Sequence, residues 1–152
     1  QNAVWLRPWD ATVPPGGEQR PLTFASMVRQ LNRSARRGES MPFAIEVDGQ
    51  ARGGIGARRL AGERAIGAEL GYWLGRDCWG RGLMTRVVAA YAPWVMDVLE
   101  ILRLQAVVLD FNQASARVLE KNGFVEEGVL RRAVRKRGEV HDLRLFARIR
   151  EG

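Results

Sequence analysis

The spacing of apolar residues changes repeatedly along this chain of 152 residues, and those changes restrict its fold more than any other feature. Phe24, Met27, Val28 and Leu31 recur at a helical period. Phe24–Arg37 is therefore predicted as a helix, with Thr23 as N-cap and Gly38 after its end. From Pro42 the period becomes that of strands. Pro42–Val47 reads as a strand and Asp48-Gly49 as a hairpin turn. Ala51–Leu60 is a poorer strand, interrupted by Gly53, Gly54 and Gly56. A turn at Gly62–Arg64 leads into a strand over Ala65–Leu74. Gly82–Leu99 returns to the helical period, with Val87, Val88, Tyr91, Val95 and Leu99 on one side. Pro93 predicts a kink near Ala89–Ala92. Leu104–Leu109 is a short strand and Ser115–Lys121 a short helix, stopped by Asn122-Gly123. Phe124–Arg131 and Leu143–Ile149 are strands around a turn at Arg137-Gly138. A meander followed by βαβ units predicts an α/β fold of the α+β kind: a mixed sheet with helices on its faces.

The length suits one domain over 1–152, and the balance of 46% hydrophobic and 27% charged residues is that of a globular chain. One cysteine, Cys78, and one histidine, His141, exclude an internal disulfide framework and a Cys/His zinc site. No metal is expected. The longest apolar run, Val87–Met96, is too short to span a membrane, and Gln1–Asp10 lacks the apolar core of a secretory signal. A cytoplasmic protein without membrane contact is expected. The net charge of +7 favours an anionic partner: nucleic acid, ribosome or a phosphorylated cofactor. A merely basic surface is the plainer reading.

The chemistry concentrates in Leu70–Thr85, LGYWLGRDCWGRGLMT. A strand ends, a loop carries Gly80-Arg81-Gly82, and a helix begins. Glycines at alternate positions let the backbone curl, and the new helix adds unpaired N–H groups and a positive terminus. Together they can hold a phosphate, with Arg76 and Arg81 near enough in sequence to add charge-assisted hydrogen bonds. An ordinary glycine turn is the alternative. The second stretch is Asp110–Phe124, DFNQASARVLEKNGF, where a strand end gives way to Asn112, Ser115 and a helix. Two strand-to-helix junctions of one sheet can line one crevice at the strands' C-terminal ends. Cys78 reads as a small packing residue.

These elements in this order, with GYWLGRDCWGRGLMT and NQASARVLEKNGFVEEGVLR, resemble the GNAT superfamily of acyl-CoA N-acyltransferases, and within it the RimJ/RimL type that acetylates ribosomal-protein N-termini or related amines. The resemblance runs from about Pro42 to Arg148. It implies a GNAT fold, a mostly antiparallel central sheet flanked by helices, here without the family's first strand. It implies acetyl-CoA as acyl donor and CoA as product. The Tyr72, Trp73 and Leu74 backbone would pair with the pantetheine arm as an added strand. The amides of Trp79, Gly80, Arg81, Gly82, Leu83, Met84 and Thr85 would hold the pyrophosphate, with the Thr85 hydroxyl. Asn112 would bond the pantetheine, Ser115 would sit near the thioester sulfur, and Arg117 or Lys121 would reach the nucleotide phosphate.

The sequence departs from that pattern in three places. Asp77 stands where the family often carries Gln or Arg, so its side chain is expected to turn outward with Arg76 or Arg81 compensating. Pro93 lies in the central helix, and Val140 replaces an aromatic on the last hairpin.

The expected chemistry is direct attack of an amine on the thioester, with both held together and no covalent enzyme intermediate. Ser115 is the candidate acid or donor to the departing thiolate; a helix N-cap is its plainer role. A carboxylate acting through water would be the base: Glu69 first, Asp142 second, Glu46 third. Tyr72 is assigned its backbone role, and His141 is read as solvated. The acceptor is a protein N-terminal amine, or a small amine such as an antibiotic or polyamine. The basic run Arg131, Arg132, Arg135, Lys136 and Arg137 could dock on a ribosomal target, or grip RNA in a binding module without catalysis. A GNAT fold that binds CoA without catalysis is a third class. A monomer or a homodimer fits equally.

Overall fold

The computed structural model describes residue 29 and residues 32–62 and 66–151. The helix expected over Phe24–Arg37 is described only in part: residues 32–36 are helical, and Gly38 follows with φ 68°. The Pro- and Gly-rich stretch Ala11–Arg20, which the sequence marks as a loop, lies outside the described residues. Among the described residues six strands form one sheet: β1 (Phe43–Val47), β2 (Gln50–Arg59), β3 (Gly67–Leu74), β4 (Arg103–Leu109), β5 (Val125–Lys136) and β6 (Glu139–Ile149). Their order across the sheet is β1-β2-β3-β4-β6-β5, and only β3 and β4 run parallel. Among the described residues two longer helices pack on the sheet, α1 (Leu83–Val98) after β3 and α2 (Gln113–Lys121) after β4.

The local chemistry explains the hairpins. Asp48 and Gly49 both take positive φ, 52° and 75°, and Val47 pairs with Gln50. That is the two-residue turn whose twist matches paired strands. The glycines that make β2 look like a poor strand have a packing reason. A Cβ on Gly53 would lie 2.5 Å from the Trp73 carbonyl oxygen, and one on Gly54 would lie 2.8 Å from Trp73 Nε1. Bare backbone in β2 therefore makes room for β3 and its indole. Gly53→Ala is expected to cost about 1–3 kcal/mol of stability, because backbone in the facing strand must move. Denaturant unfolding checks this; a midpoint equal to that of the parent would show that the strands separate without strain.

The core lies between the sheet and the helices. Ala68, Leu104 and Phe146 from the strands meet Val88, Ala92 and Val95 of α1 and Leu119 of α2, all 0% exposed. α1 continues through Pro93. Pro93 lies on the solvent side, as does Ala89, whose carbonyl loses its donor, so water can take the donor's place. β5 and β6 extend well past the predicted strands, meeting at Lys136 and Glu139 across Arg137-Gly138. Arg132 takes φ 51° where the β5–β6 register shifts, and the Asp142 carboxylate accepts its backbone N–H at 2.7 Å.

β3 and β4 stay paired only from Gly67–Glu69 to Arg103–Gln105. Beyond that point β3 follows β2 to Leu74 and β4 follows β6 to Leu109. The sheet thus opens into a wedge, and the C-terminal ends of β3 and β4 stand apart.

Candidate active site

Each arm of the wedge delivers one of the two motifs. β3 ends in Tyr72, Trp73 and Leu74, then a 3-10 turn over Arg76–Cys78 and the glycine loop lead to α1. Gly82 is the residue before α1, with φ 68°. A Cβ at Gly80 or Gly82 would meet no atom within 4 Å, so both backbones face open space. β4 ends in Leu109, and Asn112 caps α2 by accepting the Ser115 N–H at 3.2 Å. Ser115 is therefore not the cap. The two arms touch through side chains: Tyr72 Oη lies 2.8 Å from Ser115 Oγ and donates to the Ser115 carbonyl at 3.2 Å. Burial raises the Tyr72 phenol to about 12, with the Ser115 hydrogen bond opposing in part, so it is a neutral donor near pH 7. Asn122 braces the site from behind, donating to the Thr85 and Val118 carbonyls and so joining α1 to α2.

Two cavities flank this contact. One, of about 440 Å³, is lined by Tyr72, Trp73, Leu74, Trp79, Gly80, Gly82, Leu83, Met84, Thr85, Asn112 and Ser115. Cys78, Phe111, Gln113, Ala114 and Val118 complete it. The other, of about 270 Å³, runs between the splayed strands from Leu70–Tyr72 to Ala106–Leu109, closed by Val134, Lys136 and Leu143. Tyr72, Asn112 and Ser115 line both. The larger cavity suits a long phosphorylated thioester. Beyond Glu69, β3 has no strand neighbour on the wedge side among the described residues, which leaves an edge for a pantetheine arm. Gly80, Gly82 and the first residues of α1 line the same cavity, and a helix N-terminus with free backbone N–H groups is suited to an anion.

Several expected positions differ. Arg76, Arg81 and Arg117 are exposed and line neither cavity; Arg81 donates to the Asp77 carbonyl at 3.3 Å. The Asp77 carboxylate pairs with Arg52 Nη1 at 2.7 Å, a partner on the neighbouring strand that local sequence does not reveal. Glu69 is exposed and accepts from Gln105 at 3.4 Å. Neither Glu69 nor Asp142 lines either of these two cavities, and the Asp142 carboxylate is engaged by the Arg132 backbone N–H. Glu46 lies on β1, away from the wedge. Lys136, read as part of the basic run that could dock on a ribosomal target or grip RNA, is 3% exposed and lines the second cavity. His141 is packed edge-on against Phe111 with Asp110 Oδ1 3.6 Å from its Nδ1. Cys78 is buried, as a packing residue should be.

The comparisons with known proteins agree with this geometry. The family model described as acetyltransferase (GNAT) domain matches residues 4–125. The uncharacterized N-acetyltransferase YoaA of Bacillus subtilis is 33% identical over 125 residues, 82% of this chain and 67% of its own length. The ribosomal-protein-serine acetyltransferase of Escherichia coli is 29% identical over 114 residues, 75% of this chain and 63% of its own. The solved structure of Mycobacterium smegmatis RimJ in complex with CoA-disulfide superposes with a TM-score of 0.84 at 28% identity, covering 97% of this chain and 72% of that one. The chain belongs to the GNAT acetyltransferases, enzymes that move the acetyl group of acetyl-CoA to an amine.

Proposed function

We propose that this enzyme acetylates the α-amine at the N-terminus of a protein of the ribosomal kind, in the cytoplasm. One observation carries the reading: two cavities meet at Tyr72, Asn112 and Ser115. The larger takes acetyl-CoA, and the cavity between the splayed strands takes the acceptor, so amine and thioester meet at the Ser115 hydroxyl. The Escherichia coli relative named for ribosomal-protein acetylation supports the acceptor class. Arg131, Arg132 and Arg137 are exposed on the hairpin that also supplies Val134 and Lys136 to the second cavity, which suits docking on an RNA-rich particle.

The neutral amine attacks the thioester carbonyl, a C–N bond forms, the C–S bond breaks, and the proton that the nitrogen loses passes through solvent to the departing thiolate, so that CoA leaves as the thiol. Tyr72–Leu74 hold the pantetheine along β3, and the Trp79–Thr85 backbone holds the pyrophosphate. Ser115 donates a hydrogen bond to the sulfur as charge develops there. Attack is direct: the partner of the Ser115 hydroxyl is a phenol that keeps its proton, not a base that could make the serine a nucleophile. Asp142 serves the β5 backbone rather than the amine. Asp142→Ala is expected to cost about 0.5–1.5 kcal/mol of stability, because the exposed Arg132 N–H loses this bond but can turn to water. A loss of turnover at unchanged stability would return Asp142 to the role of base.

A panel of acceptors tests the function. Peptides copying ribosomal-protein N-termini are expected to be acetylated faster than polyamines or aminoglycosides, with product on the α-amine by mass spectrometry. Preference for a small amine would replace the proposed acceptor. Salt-sensitive RNA binding with no acetyl transfer to any amine would reduce the chain to a binding module.

A further inference from the structure

We propose that the Tyr72 side chain is a positioning residue for acetyl transfer: its hydroxyl holds Ser115 Oγ so that the serine proton points at the sulfur of the departing CoA thiolate. This rests on the assignment of Ser115 as the donor to that sulfur.

Tyr72 lies three residues past the last β3–β4 pair, where β3 has left β4, and its ring reaches across the opening to α2. The Ser115 carbonyl can only accept, whereas either hydroxyl can donate to the other. Two arrangements follow. In one, Tyr72 donates to the carbonyl and Ser115 Oγ–H points back at Tyr72. In the other, Tyr72 donates to Ser115 Oγ at 2.8 Å, the shorter contact, and the serine proton is free to face the cavities. A thiolate accepts but cannot donate, so growing charge on sulfur selects the second arrangement. A serine in the first turn of a helix otherwise tends to bond its own backbone. The phenol competes with that local bond. The high phenol pKa keeps Tyr72 a donor throughout the working range. No proton leaves either residue: Ser115 keeps its proton while hydrogen-bonding sulfur, and Tyr72 keeps its own while hydrogen-bonding Ser115.

The test needs no acceptor. CoA bound to the protein is titrated, and its thiolate is followed by ultraviolet absorbance in the parent, Tyr72→Phe, Ser115→Ala and the double variant. A donor aimed at sulfur holds the bound thiol's pKa down. Both single variants are expected to raise it by similar amounts, roughly half a unit or more, and the double variant by no more than either. In acetyl transfer, Tyr72→Phe is expected to lower kcat about tenfold while KM for acetyl-CoA changes by less than about twofold. A role as a mere strut across the wedge would weaken acetyl-CoA binding and leave the thiol titration alone. The proposal is overturned if Tyr72→Phe titrates like the parent while Ser115→Ala does not, or if the two shifts add. If Ser115→Ala also titrates like the parent, the assignment of Ser115 falls with it. Should Tyr72→Phe fold poorly, 3-fluorotyrosine at position 72 keeps the ring and hydroxyl and makes a stronger donor. It is expected to lower the bound thiol pKa below that of the parent; no change would count against the proposal.

Discussion

Gly82→Trp is expected to weaken acetyl-CoA binding by at least ~100-fold, equivalent to about 2.7 kcal/mol, while the chain remains folded. The size of the effect follows from where the indole must go. Gly82 precedes α1 with φ 68°, and a Cβ there meets no atom within 4 Å. The new side chain therefore enters the space that the glycine loop faces, instead of colliding with the core. The backbone cost of a left-handed non-glycine residue is only about 1–2 kcal/mol, which a domain of this size can absorb. The binding cost is larger, because the amides that would face the pyrophosphate are covered. Thermal unfolding separates the two. In the parent, acetyl-CoA at ~100 times its Kd adds about 2.7 kcal/mol of stability. In Gly82→Trp the unliganded midpoint is expected to fall by a few degrees, and the stabilisation by the same ligand concentration to drop to about 0.4 kcal/mol or less. Undiminished stabilisation would place the pyrophosphate somewhere other than this loop.

The part of the fold that the sequence made legible is the part with clear periodicity or turn chemistry. Asp48-Gly49, the α1 face built on Val88, Tyr91 and Val95, and β4 with its alternating burial all lie where their patterns put them. The far ends of β5 and β6 were illegible because Arg131–Arg137 carries few apolar residues to mark a strand. Their strand character comes from pairing across Arg137-Gly138, a property of two segments at once. β2 looked weak for the opposite reason: its glycines make room for Trp73, and nothing in the segment itself shows what it faces.

The same distinction governs the site. The placement of the backbone segments was legible, since a strand, a glycine loop and a helix start are local features, and Trp79, Gly80, Gly82 and Thr85 line the larger cavity. Side-chain partnerships across the wedge were not. Tyr72 and Ser115 are 43 residues apart, and Arg52 and Asp77 lie on different elements. Asp142 and Glu69 had the right chemistry for a base, but a carboxylate's use depends on what its neighbours already ask of it, and Arg132 and Gln105 lie far from each in sequence. Lys136 shows the converse case. A run of basic residues suggests a uniform solvated tip, yet strand alternation turns Lys136 inward while Arg135 and Arg137 stay exposed.

Ser115→Ala is expected to lower kcat by roughly 10–100-fold, the loss of one hydrogen bond to a charged sulfur, with acetyl-CoA affinity within about twofold of the parent. The asymmetry has a structural basis. Asn112, not Ser115, caps α2, so removing the serine hydroxyl leaves the helix start intact. Asn112→Ala, by contrast, removes the cap and is expected to cost about 0.5–2 kcal/mol of stability. Ground-state acetyl-CoA carries little charge on sulfur, so the hydroxyl adds little to its binding. The bond strengthens only as the C–S bond breaks, which is why kcat and not KM carries the effect. Comparing the two variants separates chemistry from scaffolding. Ser115→Ala with parental stability and depressed kcat supports the donor role; an equal fall in stability, or a kcat equal to the parent's, would make Ser115 a structural residue of the wedge.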